Sequence, residues 1–158
     1  MKTLELNKIK LIVYDFDGVM TDNTAIVDQN GNESVIVNRS DGLGISLIKK
    51  LGIKQIILST ETNNVVQKRA AKLELFCLNG IEDKAVTLYK YLTDRNISLD
   101  SVLYVGNDIN DLEVMQMVGF SVAPKDAYEP ILEIADHVTK AKGGEGVIRE
   151  LYDLIIQK

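Results

Sequence analysis

Apolar positions along the chain fall into short β-branched runs that alternate with stretches of helical period. Leu11-Ile12-Val13-Tyr14, Gln55-Ile56-Ile57-Leu58 and Val102-Leu103-Tyr104-Val105 have the near-continuous hydrophobicity of strands covered on both faces, as in a parallel sheet. Each run stops at a polar or glycine-containing turn: Asp15-Phe16-Asp17-Gly18, Ser59-Thr60-Glu61-Thr62 and Gly106-Asn107-Asp108. Between them, Leu43, Leu47, Ile48 and Leu51 mark one helix face closed by Gly52, and Val65, Val66, Arg69 and Leu73 mark a second. Ala85, Leu88, Tyr89 and Leu92 give the i, i+3, i+4, i+7 stripe of a third. Further helices are predicted over 109–118, 127–135 and 147–156, with short strands near 75–78 and 120–122.

One interruption departs from this alternation. Ala25-Ile26-Val27-Asp28 and Ser34-Val35-Ile36-Val37 flank Gln29-Asn30-Gly31-Asn32, and Asn-Gly between β-branched runs predicts a hairpin. The resulting fold class is α/β: a central parallel sheet with helices on both faces and a β-hairpin inserted after the first strand. No repeat, low-complexity tract or linker divides the sequence, so one domain is expected over 1–158, with the hairpin at about 24–37.

Composition narrows the setting. A chain of 158 residues, 46% apolar and 26% charged, can bury a full core. No apolar run approaches the roughly 20 residues needed to span a bilayer, and the first eight residues lack a leader-like apolar stretch. A lone cysteine, Cys77, excludes an internal disulfide and reads as a small core residue. A cytoplasmic, membrane-free protein is expected. The net charge of −5 opposes nucleic-acid binding, which needs a basic stripe, yet a few local cations suffice for one phosphate.

Four polar clusters fall at strand ends or adjoining loops: Asp15 with Asp17, Ser59 with Thr60, Lys84, and Asp108 with Asp111. In an open α/β sheet such loops converge on one rim. An acidic turn that caps the next element has the same Asp-x-Asp-Gly pattern; Lys84 also fits a first-turn helix lysine, and Asp111 a helix N-terminal acid. Taken together, carboxylates without clustered His or Cys favour a hard cation, best satisfied by Mg²⁺. The one histidine, His137, reads as structural or surface. Carboxylates, a lysine and a hydroxyl suit phosphoryl transfer: one acid attacks phosphorus, a second moves the proton, and the cations neutralise the non-bridging oxygens.

This constellation resembles the haloacid dehalogenase superfamily, whose four ordered motifs are matched along essentially the whole chain. The resemblance implies Asp15 as nucleophile, Asp17 as general acid/base, and Ser59 or Thr60 with Lys84 as phosphate-binding groups. It implies a Mg²⁺ site made by Asp15, the Asp17 carbonyl and Asp108, with Asp111 supporting Asp108 or holding the lysine. No stretch between motifs is long enough for a cap domain. Asp17-Gly18-Val19-Met20-Thr21-Asp22, the hairpin, the segment from Asn38 to Gly44 and that from Gly143 to Glu150 are similar to the capless sugar-acid phosphatases. In that family hairpins build a tetramer and a C-terminal tail approaches a neighbour's site, and the Gly143–Gly146 stretch suits such a tail.

The same likeness suggests Asp41, Glu61, Arg69, Lys72 and Arg149 as substrate-binding, Glu61 to sugar hydroxyls or an amide, Arg69 and Lys72 to a sugar carboxylate. Glu61, Arg69 and Lys72 also fit solvated positions at and along a helix. Leu58-Ser59-Thr60-Glu61 resembles phosphatase domains associated with acylneuraminate cytidylyltransferases, so the expected substrate is the 9-phosphate of a nine-carbon 2-keto-3-deoxy sugar acid. The alternative is 3-deoxy-D-manno-octulosonate 8-phosphate. A phospho-accepting receiver-like module and a non-catalytic partner are the other classes. Receivers lack an acid two residues after the phospho-acceptor, so Asp17 speaks against the first.

Overall fold

The computed structural model describes residues 8–157. In chain order the strands are β1 (Leu11–Tyr14), β2 (Ile26–Val27), β3 (Glu33–Ser34), β4 (Lys54–Leu58), β5 (Phe76–Leu78), β6 (Val102–Val105), β7 (Phe120–Ala123) and β8 (His137–Val138). The helices are α1 (Arg39–Lys50), α2 (Val65–Leu73), α3 (Lys84–Thr93), α4 (Leu112–Met117), α5 (Glu129–Ile134) and α6 (Val147–Ile156). Six strands make one parallel sheet in the order β5-β4-β1-β6-β7-β8. In the register, Tyr14 lies opposite Ile57 on one side and Val105 on the other. β1 is therefore central and buried throughout, as its unbroken apolar run requires.

Strand periodicity divides that run between two cores. Ile12 and Tyr14 face Ile48, Val66, Ile148 and Leu151 beneath α1, α2 and α6. Leu11 and Val13 face Leu88, Leu92, Val114 and Ile131 beneath α3, α4 and α5. Both cores also hold a buried tyrosine; the Tyr14 hydroxyl donates to Gln55 Oε1 at 2.7 Å. His137 is half-buried in the edge strand β8, and Cys77 is half-buried in β5, where burial raises its thiol pKa.

Three elements differ most from the sequence expectation. α1 begins at Arg39, four residues ahead of its apolar stripe, because Asn38 Oδ1 accepts from the Ser40 N–H at 2.9 Å. The segment 109–118 splits into a 3₁₀ turn, Ile109–Asp111, and the short α4. The hairpin pairs over two residues a side, Ile26 with Ser34 and Val27 with Glu33. Asp28 shapes its turn by accepting from the Asn30 and Asn32 N–H groups, while both strands stay exposed. A ribbon this short with no covered face is marginal alone. The first seven residues, where no leader-like run is expected, lie outside the described residues. Among the described residues no helix is long and apolar enough to cross a membrane.

Candidate active site

The carboxyl ends of β1 and β6 are adjacent, so the first turns after them meet, and the start of α3 closes on both. Lys84 Nζ lies 2.9 Å from Asp15 Oδ1 and 2.7 Å from Asp111 Oδ1, with its side chain 1% exposed. Asp111 receives every donor it can use: the Tyr104 hydroxyl (2.6 Å) and Lys84 on Oδ1, the Asn107 N–H (2.9 Å) and the Asp108 N–H (3.3 Å) on Oδ2. Two buried carboxylates around one ammonium form a self-consistent charged cluster. Burial pushes the Asp15 carboxyl pKa up, and Asp111 adds to the shift; Lys84 opposes both. Burial works to lower the Lys84 pKa, but Asp15 and Asp111 outweigh it and hold the ammonium above its ordinary value. Lys84 is therefore a fixed positive charge beside Asp15.

The chain after Asp15 turns tightly, the N–H groups of Val19, Met20 and Thr21 all directed at the Phe16 carbonyl. Gly18 takes φ +79°, and a Cβ there would stand 1.9 Å from Asn107 Nδ2, so only glycine fits. Asp17 is half-buried, with Oδ1 accepting from the Thr21 hydroxyl at 3.2 Å. Burial raises its pKa; the Thr21 bond pulls it down, and Glu61 pushes it up. A carboxyl held above its usual range is suited to carry a proton.

Asn107, not Asp108, faces this pair. Its amide reaches 2.8 Å from the Asp17 carbonyl oxygen and 3.2 Å from Asp15 Oδ2. With Nδ2 turned inward it donates to both. With Oδ1 inward, three oxygens crowd together, an arrangement that a hard cation would relieve. The donor set thus fits a cation through a carboxylate, a main-chain carbonyl and a neutral amide. No group of three or more His, Cys, Asp or Glu side chains suited to a metal occurs among the described residues. Asp108, expected as a direct ligand, instead accepts from the Ile109 N–H at 2.7 Å and caps the 3₁₀ turn. The signal that would have found Asn107 is its place: after Gly106 it is the first side chain beyond β6, as Asp15 is beyond β1.

The remaining expected residues separate into two sets. Ser59, 2% exposed, directly follows β4, and its Oγ accepts from the Glu61 N–H at 3.1 Å, its hydroxyl proton having no acceptor among the described residues. Thr60 is exposed. Glu61 is half-buried and close enough to Asp17 to raise its pKa, although Oε1 also accepts from the Asn63 N–H at 2.6 Å. Arg69 and Lys72, by contrast, line a cavity of about 670 Å³ between α1 and α2, together with Arg39 and Ser46. None of the strand-end acids lines that cavity.

Two expected substrate residues are structural here. Asp41 is 1% exposed and receives the Ile148 and Arg149 N–H groups at 2.9 and 3.3 Å, tying the start of α6 to α1. Arg149 pairs with Asp153 one turn along α6, and its guanidinium lies over the Tyr152 ring. The Gly143–Gly146 stretch is likewise no free tail. A Cβ on Gly143 would stand 2.2 Å from the Gly18 carbonyl oxygen, and the Gly144 N–H donates to Val19 at 3.1 Å. It packs against the chain's own loop after β1, with Asn38 Nδ2 donating to the Gly144 carbonyl at 3.2 Å.

Paired acids on adjoining strand ends, one lysine between them and a hydroxyl on the next strand define a hydrolase of phosphoryl type. A haloacid dehalogenase-like hydrolase family model matches residues 1–151. Over 94% of its length the chain is 35% identical to the 3-deoxy-D-manno-octulosonate 8-phosphate phosphatase of Escherichia coli K12, spanning 79% of that protein. A Streptomyces avermitilis structure that carries only a HAD family hydrolase description is 41% identical, with a TM-score of 0.94 over 98% of this chain and 89% of that one. The octulosonate 8-phosphate phosphatase of Moraxella catarrhalis, solved with magnesium, phosphate and the octulosonate, is 29% identical, with a TM-score of 0.92 over 96% and 88%. The chain belongs to the haloacid dehalogenase-like hydrolases, in the capless branch that holds these sugar-acid phosphatases.

Proposed function

We propose that this chain is a Mg²⁺-dependent phosphatase that removes the terminal phosphate of a 3-deoxy-2-keto sugar acid, with the eight-carbon 8-phosphate ester as its substrate. The observation that carries the reaction class is Asp15 held against Lys84 with Asp17 two residues on. Support for the eight-carbon ester comes from the whole-chain likeness to octulosonate phosphatases, which outweighs the nine-carbon preference drawn from the resemblance of Leu58-Ser59-Thr60-Glu61.

Asp15 attacks phosphorus, forming an aspartyl-phosphate as the phosphorus–oxygen bond to the sugar breaks. Asp17 gives its proton to the departing alkoxide, then takes one from the water that attacks the intermediate and frees inorganic phosphate. Lys84 neutralises a non-bridging oxygen throughout, and the Ser59 proton is available to another. Asp15, the Asp17 carbonyl and Asn107 would hold Mg²⁺, which when bound offsets phosphate charge. The exposed apolar hairpin residues Ile26 (64%), Val27 (60%) and Ile36 (67%) support a homotetramer joined through hairpins.

A second reading, the nine-carbon 9-phosphate ester with a pathway link to a sugar cytidylyltransferase, is favoured by one observation: the Glu61 carboxylate beside Asp17, suited to sugar hydroxyls. Parallel kcat/KM measurements on both esters with Mg²⁺ present decide between them. Preference for the eight-carbon ester is expected. A tenfold preference for the nine-carbon ester, on the order of 1.4 kcal/mol, reverses the assignment, and Mg²⁺-independent or absent phosphate release rejects both.

A further inference from the structure

Thr21 lies beneath the catalytic loop with no exposed surface. A hydroxyl offers one proton and two lone pairs. Both lone pairs of Thr21 are occupied, since the Gly18 and Asn23 N–H groups each donate to Oγ1 at 3.2 Å. Asn23, in the same turn, adopts φ 64°, a left-handed backbone uncommon outside glycine. The third partner, Asp17 Oδ1 at 3.2 Å, can then only be an acceptor of the single remaining proton. The direction of the Thr21–Asp17 bond is fixed by counting donors.

We infer that Thr21 is a positioning residue for the hydrolysis: by keeping Asp17 Oδ1 as an acceptor, it leaves Oδ2 as the oxygen that delivers the proton to the departing alkoxide and recovers one from water. The role rests on the phosphatase reading above and goes beyond it by naming the proton-bearing atom and what selects it. A hydroxyl that merely stabilised the turn would need only the two N–H contacts.

Leaving-group dependence separates these roles, because a poor alkoxide leaving group needs the proton and p-nitrophenolate does not. Thr21→Val is compared with the unaltered enzyme on the eight-carbon sugar phosphate and on p-nitrophenyl phosphate, with Mg²⁺ saturating. On the sugar ester kcat is expected to fall about 10²-fold at unchanged KM, and on the aryl ester by less than about threefold. Thr21→Ser, which keeps the hydroxyl, is expected to restore the unaltered ratio of the two rates. Should Thr21→Val not fold, Thr21→Cys, a weak donor, takes its place with the same selective loss at smaller size. Equal losses on both esters, no loss, or a selective loss in Thr21→Ser overturns the assignment. Failure of the unaltered enzyme to hydrolyse either ester rejects the phosphatase reading itself.

Discussion

Asp111 and Asp41 are buried to the same degree, on opposite faces of one sheet, and do different things. Asp111 has four donors across both oxygens. Asp41 has two N–H groups on Oδ1, while Oδ2 has no hydrogen-bond partner among the described residues. The first anchors a cation against Asp15; the second joins α6 to α1. A buried acid is therefore to be judged by its donors. Where a side-chain cation is among them and a second acid shares it, the cluster is reactive; where all are main-chain N–H groups, it is a tether.

The largest expected effect is on turnover at the reactive cluster. Asp15→Asn should lower kcat on the order of 10³-fold or more, as loss of a nucleophile does. Near-normal phosphate release from this variant would break the comparison. Next, Lys84→Met leaves Asp15 and Asp111 buried without their shared cation and should cost about 3–5 kcal/mol of stability in denaturant titration. A loss below about 1 kcal/mol would mean that the cluster is less coupled than its 2.7 and 2.9 Å contacts imply.

Metal binding tests the division between neighbours. Asn107→Ala should weaken Mg²⁺ affinity about tenfold or more by calorimetry, and Asp108→Ala by clearly less. The reverse order would restore Asp108 as the ligand. The smallest effect concerns Asp41. Burial raises its pKa from 3.8 to about 6 against the pull of the Ile148 and Arg149 N–H groups and of Arg69. The folded chain thus binds this proton more tightly than the unfolded chain. That stabilisation is complete below about pH 4 and lost as pH rises through about 6. Asp41→Asn should remove this decline, so the Tm difference, variant minus unaltered protein, should grow between pH 4 and 6 and then level off. A flat difference would show that Asp41 titrates normally.

Much of the fold was legible because its signals are local. The near-continuous apolar runs at 11–14 and 102–105 coincide with β1 and β6, and α6 begins and ends where its pattern predicts. Helix starts were less legible: α1 is set by the Asn38 cap, which lies outside its apolar stripe. The hairpin kept its turn but lost most of its pairing, because β-branched residues without a covered face contribute little to a ribbon. At the site, Asp15, Asp17, Ser59 and Lys84 are legible as polar residues at strand ends or adjoining loops, and the fold brings Asp15 and Lys84 into contact. Asn107 was missed because a neutral amide beside an aspartate draws no attention in a search for charge.

By itself, the sequence determined the alternation of strands and helices, the burial of β1 on both faces and the rim where the acids gather. These follow from hydrophobic period, which each segment carries within its own few residues. Tertiary structure alone decided which of two adjacent residues turns toward Asp17, that Asp41 binds a helix more than a hundred positions away, and that Arg69 and Lys72 face a groove between helices. Those outcomes depend on the direction of a side chain after a turn and on packing between distant elements. Neither is written in any local pattern.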